Sequence, residues 1–133
     1  EIENKTKMKI KDIFEKKGET FFRKLEEKMS ISVLSKNKGV VSLGGGAFLN
    51  KNIQKEILEN HLSVWLKWDD ATLIKRIKNS KKRPIASKLS DEELKKLIKD
   101  RSKVYSKADL KIKCDNLTKN EILDKLIKLN EKI

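Results

Sequence analysis

Residues 40–46 read Val-Val-Ser-Leu-Gly-Gly-Gly, and this stretch constrains the fold more than any other part of the chain. Its first four residues predict a short buried strand that runs directly into the glycines. Glycine lacks a Cβ atom, so it can adopt positive φ and lets another molecule approach the main chain closely. Three of the five glycines in the chain lie here. We therefore expect backbone N–H groups to meet a ligand at this point, although plain turns and flexible linkers use the same residues.

The composition predicts one domain with a modest core, because the chain has 133 residues of which 37% are hydrophobic and 40% charged. No apolar run reaches the length of a membrane span, and there is no signal-peptide pattern. The single cysteine, Cys114, cannot form an internal disulfide and is interpreted as a core residue. These features favour a soluble protein in a reducing compartment, most simply the cytoplasm.

The net charge of +13 suits an anionic partner such as nucleic acid, a nucleotide, a phosphorylated metabolite or an acidic membrane. Nearly all of the excess is lysine, spread along the chain beside asparagine and isoleucine. That distribution is typical of an AT-rich genome rather than of a dedicated binding patch. We therefore expect no nucleic acid and no membrane among the partners, and keep a basic nucleic-acid-binding module as the alternative from another class.

Helical and extended patterns alternate along the chain, and this alternation predicts an α/β fold with a mostly parallel sheet. Ligands of such sheets bind beyond the carboxyl ends of the strands, which is where residues 44–46 lie. Asn50 is a suitable helix N-cap, and Ser90 with Glu93 forms a capping-box pattern. The predicted helices span about 4–17, 19–35, 51–59, 70–79, 91–106 and 119–129, and the predicted strands 40–43, 62–68 and 109–114.

A charged pattern on the second predicted helix reads Gly18-Glu19-x-x-Phe22-Arg23-x-x-Glu26. Residues three apart share a helix face, so the Glu26 carboxylate can hold the Arg23 guanidinium in one orientation. A guanidinium held in this way can grip a second carboxylate or a phosphate. The alternative is an ordinary surface ion pair.

Arginine is rare in this lysine-rich chain, and where it is retained its planar, bidentate geometry is expected to matter. Arg83 lies in the polar segment 80–90 between two predicted helices and could close over a phosphate like a lid. The alternative there is a solvated basic loop. Arg101 and Tyr105 are one helical turn apart and could both face the edge of the sheet. The arginines are Arg23, Arg76, Arg83 and Arg101.

Taken in order, these motifs resemble the shikimate kinase family over essentially the whole chain. The resemblance implies a three-layer α/β/α fold with a parallel sheet, like that of P-loop kinases. It also implies transfer of the γ-phosphoryl group of ATP to the 3-hydroxyl of shikimate, in the chorismate route to aromatic amino acids, with ATP as co-substrate and Mg²⁺ as cofactor. The matching segments are Ile13-Phe14, residues 18–26, Leu43-Gly44-Gly45-Gly46-Ala47, Arg76, Arg83-Pro84 and Arg101-x-x-x-Tyr105.

The resemblance assigns a role to each of these residues. Arg23 and Arg101 would bind the shikimate carboxylate, with Glu26 orienting Arg23 from the second shell. Gly44, Gly45 and Gly46 would belong to the substrate site, where backbone N–H groups hold the ring hydroxyls. Arg83 would be the catalytic lid arginine that reaches the transferred phosphate and contacts the nucleotide. The apolar wall would be Ile10, Phe14 and Phe22, and Arg76 would lie against the adenine.

The chain departs from the family pattern at its start, because it has no G-x-x-x-x-G-K-[ST] loop for the phosphates of ATP. The family begins with a strand, this Walker A loop and a helix, and an Asp-x-Asp motif that serves Mg²⁺ follows. We expect Glu1 to lie just after that motif. Accordingly we predict no metal ligands among these residues and an inactive fragment. Residues 115–118, Asp-Asn-Leu-Thr, also lack the Arg or Pro expected beside adenine.

A single domain, residues 1–133, is expected, with a substrate-binding region at about 4–36 and a lid at about 79–90. We expect a monomer whose partner is the small molecule shikimate. Two alternatives remain besides the nucleic-acid-binding module. One is another small-metabolite kinase of the same fold, such as a gluconate kinase, and the other is a non-catalytic metabolite-binding remnant.

Overall fold

The computed structural model describes residues 1–36, 38–83 and 86–132. Both helices and strands are present, as predicted for an α/β chain, but four helices precede the first strand and two more separate it from the second. Short 3₁₀ turns lie at Ala47–Leu49 and Ala86–Lys88. In chain order the elements are α1 (Ile2–Thr6), α2 (Ile10–Lys17), α3 (Glu19–Lys36), α4 (Lys51–Asn60), β1 (Val64–Lys67), α5 (Asp70–Lys78), α6 (Asp91–Tyr105), β2 (Leu110–Lys113) and α7 (Lys119–Glu131).

The sheet is formed by β1 and β2, which pair in parallel with Val64 opposite Leu110 and Lys67 opposite Lys113. The 46-residue separation between the paired residues contains α5 and α6, so the connection is a helical crossover of the kind that parallel strands require. The prediction of a parallel sheet is confirmed.

Two aspartates fasten the sheet at its ends. Before the strands, Asp109 Oδ2 accepts hydrogen bonds from the backbone N–H of Ser63 at 2.8 Å and from its hydroxyl at 2.6 Å. After the strands, Asp115 Oδ1 accepts from the backbone N–H of Asp69 at 2.8 Å. Each aspartate joins the segment of one strand to that of the other, so side chains as well as the backbone ladder hold the register.

Local sequence signals set the helix starts. Asn50 Oδ1 accepts from the backbone N–H groups of Asn52 at 2.9 Å and Ile53 at 3.1 Å, so α4 begins directly after the 3₁₀ turn. The Ser90–Glu93 capping box is present at the start of α6. Both predictions are confirmed, since a capping motif needs only residues within one turn of each other.

The main hydrophobic cluster surrounds the glycine segment on both sides. Residues just before the glycines, Val41 and Leu43, are half-buried against it, and Ala47 and Phe48, just after, belong to it. The glycines are therefore carried on well-packed chain at both ends. The buried members of the cluster are Leu34, Ala47, Phe48, Ile53 and Ile57. Cys114 is also buried, as predicted.

The predicted strand at 40–43 is not formed. Val40 is fully exposed, and among the described residues no segment exchanges backbone hydrogen bonds with this stretch. A strand exists only where a neighbour completes its hydrogen bonds, so a strand-like composition is insufficient here. The side chains of Val41 and Leu43 nevertheless pack inward as expected.

The single helix predicted over 4–17 is divided into α1 and α2. Lys7 adopts a left-handed conformation with φ of 58°, which ends α1. The Thr6 hydroxyl donates to the Ile2 carbonyl at 2.8 Å and closes this short helix on itself. In the described ranges, no helix has the length and apolar character that crossing a membrane requires.

Candidate functional site

Arg23 and Glu26 form the predicted pair on one face of α3. The Arg23 Nη1 atom donates to Glu26 Oε1 at 2.8 Å, and the Glu26 side chain is only 9% exposed. Glu19 Oε1 lies 3.6 Å from the Arg23 Nε atom, but its side chain is 58% exposed. Burial of the Glu26 carboxylate distinguishes this pair from an ordinary surface ion pair, because a buried carboxylate is held in one place and needs its partner.

Aromatic side chains line the other side of Arg23. The rings of Phe14 and Phe22 pack with their centroids 4.6 Å apart, and the Arg23 Cζ atom lies 6.0 Å and 5.3 Å from the two ring centroids. Ile10 begins α2 one turn before Phe14 and is half-buried. The guanidinium thus lies between a buried carboxylate and an apolar surface.

The main chain at Gly46 lies against the Arg23 guanidinium. A Cβ atom built on Gly46 would lie 2.7 Å from Arg23 Cζ and 2.8 Å from its Nη2 atom, which is closer than real carbon atoms come. A Cβ atom on Gly44 would lie 3.4 Å from Glu26 Oε2, an ordinary contact. An alanine at 46 would therefore have to displace the Arg23 guanidinium.

Two further arginines, Arg83 and Arg101, lie beside Gly45, next to the contact between Gly46 and Arg23. A Cβ atom on Gly45 would lie 3.1 Å from Arg101 Nη1 and 3.8 Å from Arg83 Nη1. Arg23, Arg83 and Arg101 come from three separate segments, so the fold gathers them around a few residues of bare main chain. We name Arg23, Arg83, Arg101 and Gly44, Gly45 and Gly46 the arginine–glycine cluster.

The glycines at 44–46 allow other groups to come close to the main chain, and they do not adopt an unusual backbone conformation. The described glycines with positive φ are Gly18 at 85° and Gly39 at 154°, and none of those at 44–46 is among them. The freedom of φ expected at 44–46 is thus unused. Among the described residues no group accepts a hydrogen bond from the N–H of Gly45 or Gly46, so both remain available to a ligand.

The cluster carries an excess of positive charge. In the described part of the chain, no carboxylate lies within ion-pair distance of Arg83 or Arg101. The Arg101 Nε atom is buried without a hydrogen-bond partner. A buried donor without a partner costs free energy unless something accepts from it. Together with the free N–H groups, this arrangement fits an anion that also has hydrogen-bond acceptors.

Tyr105 connects helix α6 to the glycine segment. Its hydroxyl donates to the Gly45 carbonyl, and its ring centroid lies 5.9 Å from that of Trp65 on β1 and 6.5 Å from that of Phe48. Tyr105 was expected near Arg101, whereas its contact with Trp65 was not predicted. An aromatic residue within a predicted strand was the available signal, although it does not reveal which helix the ring meets.

Arg76 lies apart from the cluster contacts and stacks on Trp68, with its Cζ atom 5.0 Å from the ring centroid. Its charge acts on Cys114, where it opposes the dominant causes of a raised thiol pKa, which are burial and then the negative charge of Asp115. The contact of Arg76 with Trp68 was not predicted from the sequence. The predicted contact of Arg76 with adenine stays a prediction.

The described residues do not provide a metal site. Within 1–36, 38–83 and 86–132, no group of three or more His, Cys, Asp or Glu side chains is arranged to hold a metal ion. Pro84, part of the predicted Arg83-Pro84 motif, and part of the predicted lid at about 79–90 lie outside the described residues. The polar groups that the described site presents include guanidinium groups and main-chain N–H groups.

Comparison with known proteins gives one consistent family. The family model of shikimate kinase matches residues 1–131. The chain is 39% identical to the shikimate kinase of Sulfurihydrogenibium sp. over 126 residues, which are 95% of this chain and 75% of that protein. Curated relatives differ in length, and the chain spans between 61% and 77% of them.

Solved structures agree with this match. The crystal structure of shikimate kinase from Aquifex aeolicus has 32% sequence identity and a TM-score of 0.81 over 98% of this chain and 77% of that one. A shikimate kinase from Acinetobacter baumannii, solved in complex with shikimate, has 26% identity and a TM-score of 0.90 over 98% of this chain and 74% of that one.

Proposed function

This chain belongs to the shikimate kinase family, and on that premise we propose that the arginine–glycine cluster is its shikimate-binding site. The activity is ATP-dependent phosphoryl transfer to shikimate, a reaction of aromatic amino acid biosynthesis. The shikimate complex of the Acinetobacter baumannii relative supports the choice of substrate. Shikimate has one carboxylate and several ring hydroxyls, so it matches the anion with hydrogen-bond acceptors that the cluster fits.

We propose that Arg23 and Arg101 bind the shikimate carboxylate. The buried Glu26 holds the Arg23 guanidinium in place at 2.8 Å, which removes the cost of ordering a flexible side chain when the substrate binds. Arg101 has a buried Nε–H without a partner, and a carboxylate would supply the missing acceptor. Two guanidinium groups would then share one negative charge.

The remaining groups fit the ring of the substrate. The free N–H groups of Gly45 and Gly46 would donate to ring hydroxyls, and the absence of side chains at 44–46 lets the ring come close enough. Phe14 and Phe22, with Ile10 one turn away, would cover the carbon face of the ring.

Arg83 is the proposed catalytic residue, acting on the phosphoryl group as it moves to the 3-hydroxyl of shikimate. Its Nη1 atom lies 3.8 Å from the Cβ position of Gly45, and its side chain has no carboxylate partner among the described residues. Phosphoryl transfer depends mainly on positioning and on stabilising negative charge. An exposed guanidinium at the rim of the cluster can supply that charge.

For the nucleotide, we propose that Arg76 lies against the adenine while Trp68 supports it from the other side. Mg²⁺ would arrive with the phosphates of ATP, a common mode of binding for this ion. The described residues lack a cluster that would hold it, so no residue is assigned to it. We also propose that the protein is a monomer and that it is cytoplasmic; the single free cysteine agrees with a reducing compartment.

The observation that carries the proposal is the meeting of Arg23 and Arg101 at adjacent glycines. Isothermal titration with shikimate tests it in Arg23→Lys and Arg101→Lys variants, with Arg76→Lys as the matched control outside the cluster. Because hydrogen bonds to charged groups are strong, we expect affinity to fall roughly tenfold or more in the first two variants. The control should retain its affinity. Equal affinities in all three variants would contradict the site.

Two competing functions are separated by the choice of ligand. Gluconate is also a carboxylate, so a gluconate kinase would bind it more tightly than shikimate. A nucleic-acid-binding module would bind a DNA duplex with an affinity that falls steeply with salt and would not prefer shikimate. We expect shikimate to bind the most tightly of the three at physiological salt.

A further inference from the structure

We infer that Tyr105 is a positioning residue, which fixes the peptide between Gly45 and Gly46 so that the N–H of Gly46 faces the substrate. The inference rests on the proposed function for the identity of the ligand. Its structural basis is the hydrogen bond from the Tyr105 hydroxyl to the Gly45 carbonyl.

Because a peptide unit is planar, a hydrogen bond to the Gly45 carbonyl also fixes the direction of the Gly46 N–H. The Gly45 carbonyl and the Gly46 N–H belong to one trans peptide unit, so they point in opposite directions. When Tyr105 holds the carbonyl on its side, the N–H is turned away from Tyr105. Glycine residues have wide backbone freedom, so without this bond the peptide could rotate and aim the N–H elsewhere.

The side chain of Tyr105 is held in place by its packing and by its position in α6. Its ring lies against Trp65 of β1 and Phe48, and its backbone is in the last turn of α6, one turn after Arg101. The hydroxyl is therefore delivered from a rigid part of the fold to a segment that lacks side chains. Arg101 and Tyr105 would then act on the two different parts of the substrate, the carboxylate and the hydroxyls.

Replacing Tyr105 by Phe removes the hydroxyl and keeps the ring. The matched control is Ser106→Ala, which removes a hydroxyl from the next residue. The Ser106 hydroxyl donates to the Lys103 carbonyl at 2.7 Å and so stays within the end of α6. Denaturant unfolding of both variants reports any general loss of stability.

Nuclear magnetic resonance tests the position of the peptide directly. Labelling with ¹⁵N-glycine gives five backbone signals, because the chain has five glycines. In the ligand-free protein, we expect the Gly46 signal to shift and broaden in Tyr105→Phe, while Gly18 and Gly39 stay unchanged. Ser106→Ala should leave all five in place. Unchanged Gly45 and Gly46 signals in Tyr105→Phe would overturn the inference, even if the protein binds no shikimate.

Binding then tests the consequence. Tyr105→Phe should lower the affinity for shikimate roughly threefold to tenfold, the effect of about one hydrogen bond. Its affinity for cyclohexene-1-carboxylate, which has the carboxylate without the hydroxyls, should not change. An equal loss for both ligands would show that the whole site has loosened and would contradict a role in orienting one peptide. If the wild-type protein binds neither ligand, the proposed function fails, and the glycine signals still decide the inference.

Discussion

The main chain of Gly46 lies so close to the guanidinium of Arg23 that a single methyl group does not fit between them. The Cβ position of Gly46 is 2.7 Å from Arg23 Cζ. Arg23 cannot move toward Glu26, because its Nη1 atom already donates to that carboxylate at 2.8 Å. The glycine and the arginine are therefore one unit, in which each restricts what can stand at the other position.

Gly46→Ala should displace the Arg23 guanidinium and weaken shikimate binding roughly tenfold, because it disturbs a charged hydrogen bond to the ligand. Gly44→Ala is the comparison, because its methyl group also lies at the site but would meet Glu26 Oε2 at 3.4 Å, in ordinary contact, and would leave Arg23 in place; it should lose less affinity than Gly46→Ala. Isothermal titration measures both affinities. A Gly46→Ala variant that binds better than Gly44→Ala would contradict the close contact between Gly46 and the Arg23 guanidinium.

Glu26→Gln should also weaken shikimate binding, again by about tenfold, because an uncharged amide holds the Arg23 guanidinium less firmly than a carboxylate. Glu19→Gln provides the comparison. Its carboxylate lies 3.6 Å from Arg23 Nε and is largely exposed, so screening leaves it a small effect of less than about twofold. When the affinities for shikimate are measured side by side, Glu26→Gln should show a clearly larger loss than Glu19→Gln. Similar losses would show that the affinity depends on negative charge near Arg23 and not on the orientation of the Arg23 guanidinium.

The acid side of the stability curve should depend on Glu27. Hydrogen bonds from Asn50 at 2.7 Å and Asn52 at 2.8 Å lower the pKa of this carboxyl below its ordinary value of 4.5. A folded pKa below the unfolded one gives stability that is present above pH 4.5 and is lost as the pH falls through the folded pKa. Glu27→Gln should therefore be less stable than the wild type at pH 7.

The measurement for Glu27 is urea unfolding from pH 7 to pH 3. The difference between the wild type and Glu27→Gln should shrink below pH 4.5 as the wild-type carboxyl becomes protonated. Glu15→Gln removes an exposed carboxylate on α2, 4.0 Å from Lys11, and should leave the acid limb unchanged. A constant difference over the whole range would show that Glu27 acts through packing and not through its charge.

Cys114 should be inert in the folded protein. Its side chain is 1% exposed, and burial, followed by the charge of Asp115, raises the pKa of its thiol above the ordinary value of 9.0. Since the thiolate is the reactive form, a disulfide reagent should modify it only when the protein opens. The rate should rise with urea in step with unfolding, and fast modification of the native protein would contradict this placement.

Local signals in the sequence predicted local structure well. The cap at Asn50, the capping box at Ser90 and the Arg23–Glu26 pair each join residues within one helical turn, and all are present. The parallel sheet also followed from the alternation of helices and strands. The sparing use of arginine also pointed to the cluster, because three of the four arginines, Arg23, Arg83 and Arg101, lie in it.

What sequence could not supply was contact between distant segments. Residues 40–43 have strand composition, but a strand also needs a neighbour, and this segment pairs with none of the described residues. The hydrogen bond from Tyr105 to Gly45 joins positions 60 residues apart, and the sequence around either residue does not predict it. Trp65 and Trp68 were missed for the same reason.

The two aspartates that fasten β1 to β2 have a consequence far from themselves. Side chains on a strand alternate between faces, so a slip of one residue in either strand would turn Trp65 away from Tyr105. The same slip would break the bonds of Asp109 and Asp115 together, which makes the misaligned pairing costly. Asp109 and Asp115 therefore help to keep Trp65 in contact with Tyr105, whose hydroxyl bonds to the glycine segment.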